Sequence, residues 1–185
     1  LFGDGAQRLV ASHLVDAGRT RPLVVTDRGL AALPLFARFV DGLAGVAHAV
    51  FSGIGGNPVR KQVMDGASAF RAHNADSVIG IGGGAALDVA KAIALMADHP
   101  GDILEYAWDH PDVRSITKAL PYFVAVPTTA GTGSEVGRAS VITDLRDHTK
   151  KIIFHPRMQP ALVIADPELT LGLPPKVTAA VGMDV

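Results

Sequence analysis

The stretch VIGIGGGAALDVAKAIAL, residues 78–95, joins an apolar run to a helical pattern through Gly82, Gly83 and Gly84. In a strand–turn–helix unit, the first N–H groups of the helix lack partners and carry partial positive charge. A phosphate group can accept hydrogen bonds from those N–H groups, and glycine lets it approach the backbone without a Cβ in the way. We therefore predict a phosphate site at this turn.

Two further features of this stretch bear on that prediction. Gly80, Gly82 and Ala85 satisfy a loose G-x-G-x-x-A dinucleotide-binding pattern, although a tight turn with close helix packing would need the same glycines. Asp88 is expected in the first turn of the helix. There it is either a favourable charge at the positive end of the helix dipole or part of the pocket.

Short β-branched runs alternate with helical patterns along the first two thirds of the chain. Strands are predicted at 22–27, 46–52, 77–83 and 122–129, and helices at 4–17, 33–43, 59–72 and 85–97. In the last of these helices, one face would carry Ala86, Ala90, Ile93 and Ala97. Alternation with fully apolar strands predicts an α/β fold, a Rossmann-like, mostly parallel sheet flanked by helices.

The pattern changes after residue 129. ASVITD, KKIIFH and ALVIAD are closely spaced strand candidates, and the first two predict a short antiparallel hairpin through LRDHT. LPPKVTAAVGMDV then begins a helix, with proline at its start. Because the chain begins with Leu1 inside an apolar segment and stops within this helix, we expect it to be a domain or fragment of a longer protein.

A second polar stretch, VPTTAGTGSEVG, follows the fourth predicted strand. It offers the hydroxyls of Thr128, Thr129 and Thr132, and ligands bind at the carboxyl ends of the strands in open α/β sheets. Thr132 and Glu135 also have the spacing of a capping box, which would start a helix here.

Asp27 ends the first predicted strand. A carboxylate in that position can accept hydrogen bonds from both hydroxyls of an adenosine ribose, and it repels a 2′-phosphate. Aspartate also commonly stabilises its own turn. Its place before the glycine-rich turn, rather than about 20 residues after it, departs from the usual Rossmann order.

The composition limits the classes of ligand and partner that the protein is expected to bind. The formal net charge is −1, so we expect a small-molecule ligand and neither nucleic acid nor membrane. The chain has no cysteine, which excludes thiolate metal sites and fits a cytoplasmic protein. The seven histidines show no metal-ligand spacing.

Three of these motifs, GGGAALDVAKAIAL, VPTTAGTGSEV and LPPKVTAAVGMD, occur in the order typical of one family. The chain resembles the iron-containing (group III) alcohol dehydrogenases, from Phe2 to Asp184. The resemblance covers the nucleotide-binding half of that family. It implies a dinucleotide-binding domain over residues 1–173 and the start of a truncated, all-helical metal-binding domain over 174–185.

The resemblance also implies which residues bind NAD. Ala85 replaces the family's serine after the three glycines, so the hydroxyl is lost and the backbone N–H is kept. Lys150 rather than Lys151 matches a lysine near the nicotinamide ribose, because it lies ten residues before Pro160. The full cofactor-binding set implied is Asp27, Asn57, Gly82, Gly83, Gly84, Ala85, Asp88, Thr128, Thr129, Thr132 and Lys150.

Asp184 matches the family's first metal ligand, with Val185 standing where alanine is usual. The function implied is NAD-dependent hydride transfer between an alcohol and the cofactor, in which a divalent metal (iron or possibly zinc) polarises the oxygen of an alcohol or aldehyde substrate. No catalytic residue falls in this half, so we expect the 185-residue chain alone to be inactive, and the complete enzyme to be a homo-oligomer.

Three alternatives stay open. A metal-free maleylacetate reductase has the same fold, but Asp88 and Asp184 both stand where the metal-dependent members carry an acid. A dehydroquinate synthase-like lyase resembles the architecture, while PTTAGTGSE favours the dehydrogenase. A non-catalytic nucleotide-binding module remains if the chain is complete as given.

Overall fold

The structure is a computed structural model that describes residues 1–184; Val185 lies outside the described residues. In chain order the strands are β1 (Pro22–Asp27), β2 (Ala49–Ile54), β3 (Ser77–Gly82), β4 (Tyr122–Pro127), β5 (Ala139–Asp144), β6 (Thr149–Phe154) and β7 (Leu162–Val163). The α-helices are α1 (Val10–Asp16), α2 (Arg28–Ala31), α3 (Pro34–Asp41), α4 (Arg60–His73), α5 (Gly84–Asp98) and α6 (Pro175–Gly182). No helix within residues 1–184 is long and apolar enough to span a membrane.

Five strands form the central sheet in the order β2-β1-β3-β4-β7, and every neighbouring pair is parallel. β5 and β6 form a separate antiparallel pair joined by a tight turn. The predicted α/β fold and hairpin are therefore confirmed. Strand β3 is buried along its whole length, as expected for a central parallel strand with helices on both faces.

Each face of the sheet has its own apolar core. On one face, α4 and α5 pack on side chains such as Leu23 and Val25. On the other face, α1 and α3 pack on Val24, Ile79 and Ile81. Alternate residues of β1 thus point into opposite layers, which explains why the consecutive residues Leu23, Val24 and Val25 are all apolar.

The four residues predicted to share one face of α5, Ala86, Ala90, Ile93 and Ala97, are all buried, and the burial extends to nearly all sides of the helix. The sheet covers one side and α4 a second. A Cβ added at Gly66 of α4 would lie 2.2 Å from Ile93 Cδ1, so the two helices approach closely there. The hairpin covers a third side, where the Ser140 hydroxyl donates to the Asp88 carbonyl at 2.8 Å.

Several element boundaries differ from the predictions. β2 begins at Ala49 rather than 46, because the chain turns after α3 and the Val46 N–H donates to the Leu43 carbonyl. The predicted first helix begins as a 3-10 turn, Ala6–Leu9, before α1. The short helix α2 was not predicted, and ALVIAD contains only the two-residue strand β7.

A buried aspartate that follows β7 holds the amino-terminal segment of the chain beside the edge of the sheet. Asp166 is 2% exposed. Its carboxylate accepts backbone N–H groups from Gly5 at 3.2 Å, Gln7 at 3.1 Å and Glu168 at 3.0 Å. One side chain therefore joins the start of the chain to the sheet edge.

Asp166→Ala should lower the free energy of unfolding by about 3 kcal/mol, because three N–H groups lose a charged acceptor. Asp65→Ala is the control, since Asp65 forms only an exposed ion pair with Lys61; it should change the stability by less than about 0.5 kcal/mol. Urea denaturation measures both. Equal stability of the two variants would contradict this role of Asp166.

Candidate functional site

A cleft of about 990 Å³ opens at the carboxyl ends of β1, β3 and β4. Asp27, Gly83, Thr128 and Thr129 line one part of it, and apolar side chains between Leu30 and Leu35 line another. Four residues that were predicted from three separate motifs therefore share one cavity. Such clefts at strand ends are where open α/β sheets bind ligands.

Asp27 lies at the end of β1 and also caps a helix. Its Oδ1 accepts the Leu30 N–H at 2.9 Å and so starts α2. Its Oδ2 lies 3.3 Å from the point where a Cβ on Gly82 would stand. The aspartate thus stabilises its own turn with one oxygen and directs the other towards the glycine-rich turn.

The three glycines of that turn have different reasons to be glycine. Gly82 has φ +145°, and a Cβ there would lie 2.7 Å from the Ala86 Cβ, so the fold itself requires it. A Cβ on Gly83 would make only an ordinary 3.4 Å contact with the Thr129 side chain. A Cβ on Gly84 would lie 3.1 Å from Thr132. Only Gly83 could take a side chain without a shift in the structure described here.

Helix α5 presents a free amino terminus to this turn. Its N-cap is Gly83, no side chain caps it, and the half-buried Gly84 and Ala85 form its first turn. The first turn contains no acidic residue. The prediction that Asp88 lies in the first turn is therefore wrong, because the helix begins at Gly84 and Asp88 falls in its second turn.

The residues that connect β4 to β5, 128–138, are called the threonine loop here. The Thr128 N–H donates to the Gly82 carbonyl at 3.0 Å, which ties the loop to the glycine-rich turn. The Thr129 hydroxyl faces Gly83 and is buried without a hydrogen-bond partner. A buried hydroxyl normally has a partner, so this group is suited to a ligand in the cleft.

No helix begins at Thr132 in the described chain, so the capping-box prediction is wrong. The N–H groups of Val136 and Gly137 both donate to the Gly133 carbonyl, and these hydrogen bonds form a turn. It then enters β5 at Ala139. The spacing of Thr132 and Glu135 is therefore coincidental.

Asn57 and Lys150 lie away from these residues, near the hairpin. Asn57 is exposed after β2, and the next carbonyl, that of Pro58, accepts the Thr143 N–H at 2.7 Å. Thr143 pairs with Lys150 in the β5–β6 register. The two predicted nicotinamide-side residues thus flank opposite edges of β5, and within the described residues neither lines the 990 Å³ cleft.

The neighbouring lysine has a different role. The Lys151 ammonium donates to Asp109 at 2.8 Å, and this hydrogen bond raises the pKa of Lys151. Lys150 instead projects from the exposed face of β6. Of the two lysines, Lys150 is therefore the one whose side chain is exposed, whereas Lys151 is engaged with Asp109.

Helix α6 brings Asp184 to the threonine loop. A Cβ on Gly131 would lie 2.0 Å from the Val181 carbonyl oxygen and 3.4 Å from the Asp184 Cβ. Within residues 1–184, no three histidine, cysteine, aspartate or glutamate side chains form a group that could hold a metal ion. Asp184 is therefore a single carboxylate in the part of the chain described.

A second cleft, of about 580 Å³, lies beside the hairpin turn and is walled by charged side chains. Arg146 forms an ion pair with Asp144 at 2.7 Å and lowers the pKa of that carboxyl to about 2. Arg60 is paired with Asp102. Since both arginines already have anionic partners, this cleft is less suited to a phosphate than the amino terminus of α5.

Lys91, which was not among the predicted site residues, is only 1% exposed. Burial lowers the pKa of Lys91, and the charges of Asp88 and Glu135 oppose that shift. A signal was present, because Lys91 is the only basic residue among the apolar residues of α5 and follows Asp88 by three positions. That spacing places the two side chains on one face of the helix.

Comparison with known proteins agrees with this architecture. The family model described as iron-containing alcohol dehydrogenase matches residues 1–167. The 4-hydroxybutyrate dehydrogenase of Cupriavidus necator is 40% identical over 181 residues, which cover 97% of this chain and 47% of that protein. The chain spans about half the length of the curated relatives it matches.

Solved structures give the same result. The crystal structure of a 1,3-propanediol oxidoreductase superposes with a TM-score of 0.90 at 37% identity, over 99% of this chain and 48% of that one. A sulfoacetaldehyde reductase from Bifidobacterium kashiwanohense, solved with NAD+, gives 0.88 at 33% identity, over 99% and 48%. With the family model matching nine tenths of its length, the chain belongs to the iron-containing alcohol dehydrogenase family.

Proposed function

We propose that this chain is the nucleotide-binding part of an NAD-dependent oxidoreductase acting on an alcohol or aldehyde. The observation that carries the proposal is the meeting of two unsatisfied polar groups in one cleft. The uncapped amino terminus of α5 and the partnerless hydroxyl of Thr129 face each other across Gly83. A diphosphate supplies the acceptor oxygens that both groups lack.

The remaining cleft residues fit the rest of a dinucleotide. Asp27 keeps Oδ2 for the ribose hydroxyls while Oδ1 holds the Leu30 N–H. The apolar wall near Leu30 and Leu33 suits an adenine ring. Asn57 and Lys150, on the two edges of β5, are the proposed contacts to the nicotinamide half. Bound NAD+ would supply the hydride acceptor for oxidation of an alcohol carbon.

The chain's own contribution is binding and orientation. Asp184 is the proposed first ligand of a metal, by its match to the family motif. A catalytic metal takes about three protein ligands, and the described residues offer no such group. The described residues therefore do not form a metal site by themselves.

Gly83→Ala should weaken NADH binding at least tenfold without unfolding the protein. The new Cβ fits beside Thr129 at 3.4 Å but occupies the space proposed for the diphosphate. Titration of NADH fluorescence measures the affinity, and thermal unfolding measures the fold.

Two matched glycine variants separate binding from folding. Gly82→Ala should destabilise the protein, because its Cβ would stand 2.7 Å from the Ala86 Cβ at a positive φ. A Cβ added at Gly182 would have no neighbour within 4 Å, so Gly182→Ala should change neither the NADH affinity nor the thermal stability. NADH affinity in a folded Gly83→Ala variant equal to that of the parent would contradict the proposed phosphate site.

Asp27→Asn should reduce a preference of the parent for NAD+ over NADP+, which we expect to be about tenfold, or ~1.4 kcal/mol. Asparagine keeps the acceptor for the Leu30 N–H and is an equally good N-cap, but it no longer repels a 2′-phosphate. Asp16→Asn, the same charge change at the exposed end of α1, is the control. Equal or tighter NADP+ binding by the parent would show that Asp27 does not select the cofactor.

A further inference from the structure

The most deeply buried charge in the described chain lies outside the proposed cofactor contacts. Lys91 of α5 is 1% exposed and directs its ammonium group at the threonine loop. It donates to the carbonyls of Ser134 at 2.8 Å and Gly137 at 3.3 Å, and also to that of Ala139. An ammonium has three N–H donors, and these three carbonyls can accept all of them.

Asp88 completes the arrangement from the preceding turn of α5. Its carboxylate lies 3.3 Å from the Lys91 ammonium. The same carboxylate accepts the Ser134 hydroxyl and, at 3.0 Å, the Val141 N–H. The two oxygens of Asp88 and the ammonium of Lys91 are therefore engaged with the second half of the threonine loop and the start of β5.

These contacts bear on the position of Thr129. Its hydroxyl has no protein partner, so no side-chain bond holds it in place and the backbone of the loop must do so. That backbone is fixed at one end by the hydrogen bond from Thr128 to Gly82. Lys91 fixes the other end by binding Ser134 and Gly137.

We propose that Lys91, held by Asp88, is a positioning residue that sets the threonine loop against the amino terminus of α5 so that the loop can bind the cofactor. This inference rests on the proposed NAD site. Helix α5 thus has two roles in the proposed site. Its first turn faces the phosphate, and Lys91, two turns later, anchors the threonine loop on the opposite side of the cleft. Asp88 then acts through Ser134 and Lys91 rather than by touching the cofactor.

Lys91→Met tests the anchor, because methionine fills a similar volume and donates no hydrogen bond. In the absence of ligand, amide hydrogen exchange over residues 129–139 should rise at least tenfold, while exchange in β1 and β3 stays unchanged. NADH affinity should fall at least tenfold. Unchanged exchange in the loop would overturn the inference.

A pair of serine variants gives the same test with a smaller disturbance. Ser134→Ala removes the hydroxyl that binds the Asp88 carboxylate. Ser140→Ala removes one that binds only the Asp88 carbonyl, at 2.8 Å. Each variant loses one hydrogen bond to α5, Ser134→Ala from the threonine loop and Ser140→Ala from the adjoining strand β5. Only Ser134→Ala should increase loop exchange and weaken NADH binding, by about threefold.

The outcomes separate this inference from the proposed function. If the parent binds NADH and loop exchange rises in Ser134→Ala without loss of affinity, the positioning role is refuted and the proposed function stands. Equal effects of the two serine variants would refute it as well, because a merely structural role predicts them. A parent that does not bind NADH refutes the proposed function, while the exchange measurement still tests the anchor. If Lys91→Met does not fold, the serine pair decides.

Discussion

The turn at Gly82 constrains the rest of the site. Strand β3 enters α5 through a residue with φ +145° and with no room for a Cβ beside Ala86. That close passage starts α5 at Gly84 and brings its free amino terminus to the end of the sheet. The carbonyl of Gly82 then accepts the Thr128 N–H, which draws in the threonine loop. The Oδ2 atom of Asp27 also lies close to Gly82.

The elements around this turn pack against one another and form the walls of the cleft. Helix α5 is buried by the sheet, by α4 and by the hairpin, so its amino terminus cannot easily shift. The threonine loop packs between that helix and α6, where Gly131 leaves space for the Val181 carbonyl. The phosphate end of the proposed site is therefore rigid on one side, and on the other it depends on the loop contacts of Lys91 and Asp88.

Features that depend on short-range patterns could be predicted from the sequence. The buried strands, the order of helices and the glycine-rich turn follow from local periodicity and turn chemistry, and they were predicted within a few residues. β2 and ALVIAD were misplaced because a turn after α3 and the pairing of the amino terminus with Ala165 set their limits. The contacts of the Asp88 carboxylate could not be predicted, because its partners, Ser134 and Val141, lie 46 and 53 residues away along the chain.

The residues of the proposed site also differ in whether local sequence patterns can predict their positions. Gly83, Thr129 and Asp27 each follow a strand of one sheet, so a topology rule places them together. The segments that carry Asn57 and Lys150 are brought near each other only by the pairing of Thr143 with Lys150 and with Val59, which no local pattern encodes. Both residues were predicted from the family resemblance, with the ten-residue spacing to Pro160 used to choose Lys150 over Lys151.

In the proposed site, the amino terminus of α5 holds the diphosphate of the cofactor. Amide nitrogen–proton spectra of the uniformly labelled protein, recorded during titration with NAD+, test it most directly. The largest shifts should occur at Gly83, Gly84, Ala85 and Thr129, and ADP should reproduce those at the glycines. Shifts confined to the charged cleft at Arg60 and Arg146, with none at the glycines, would contradict it.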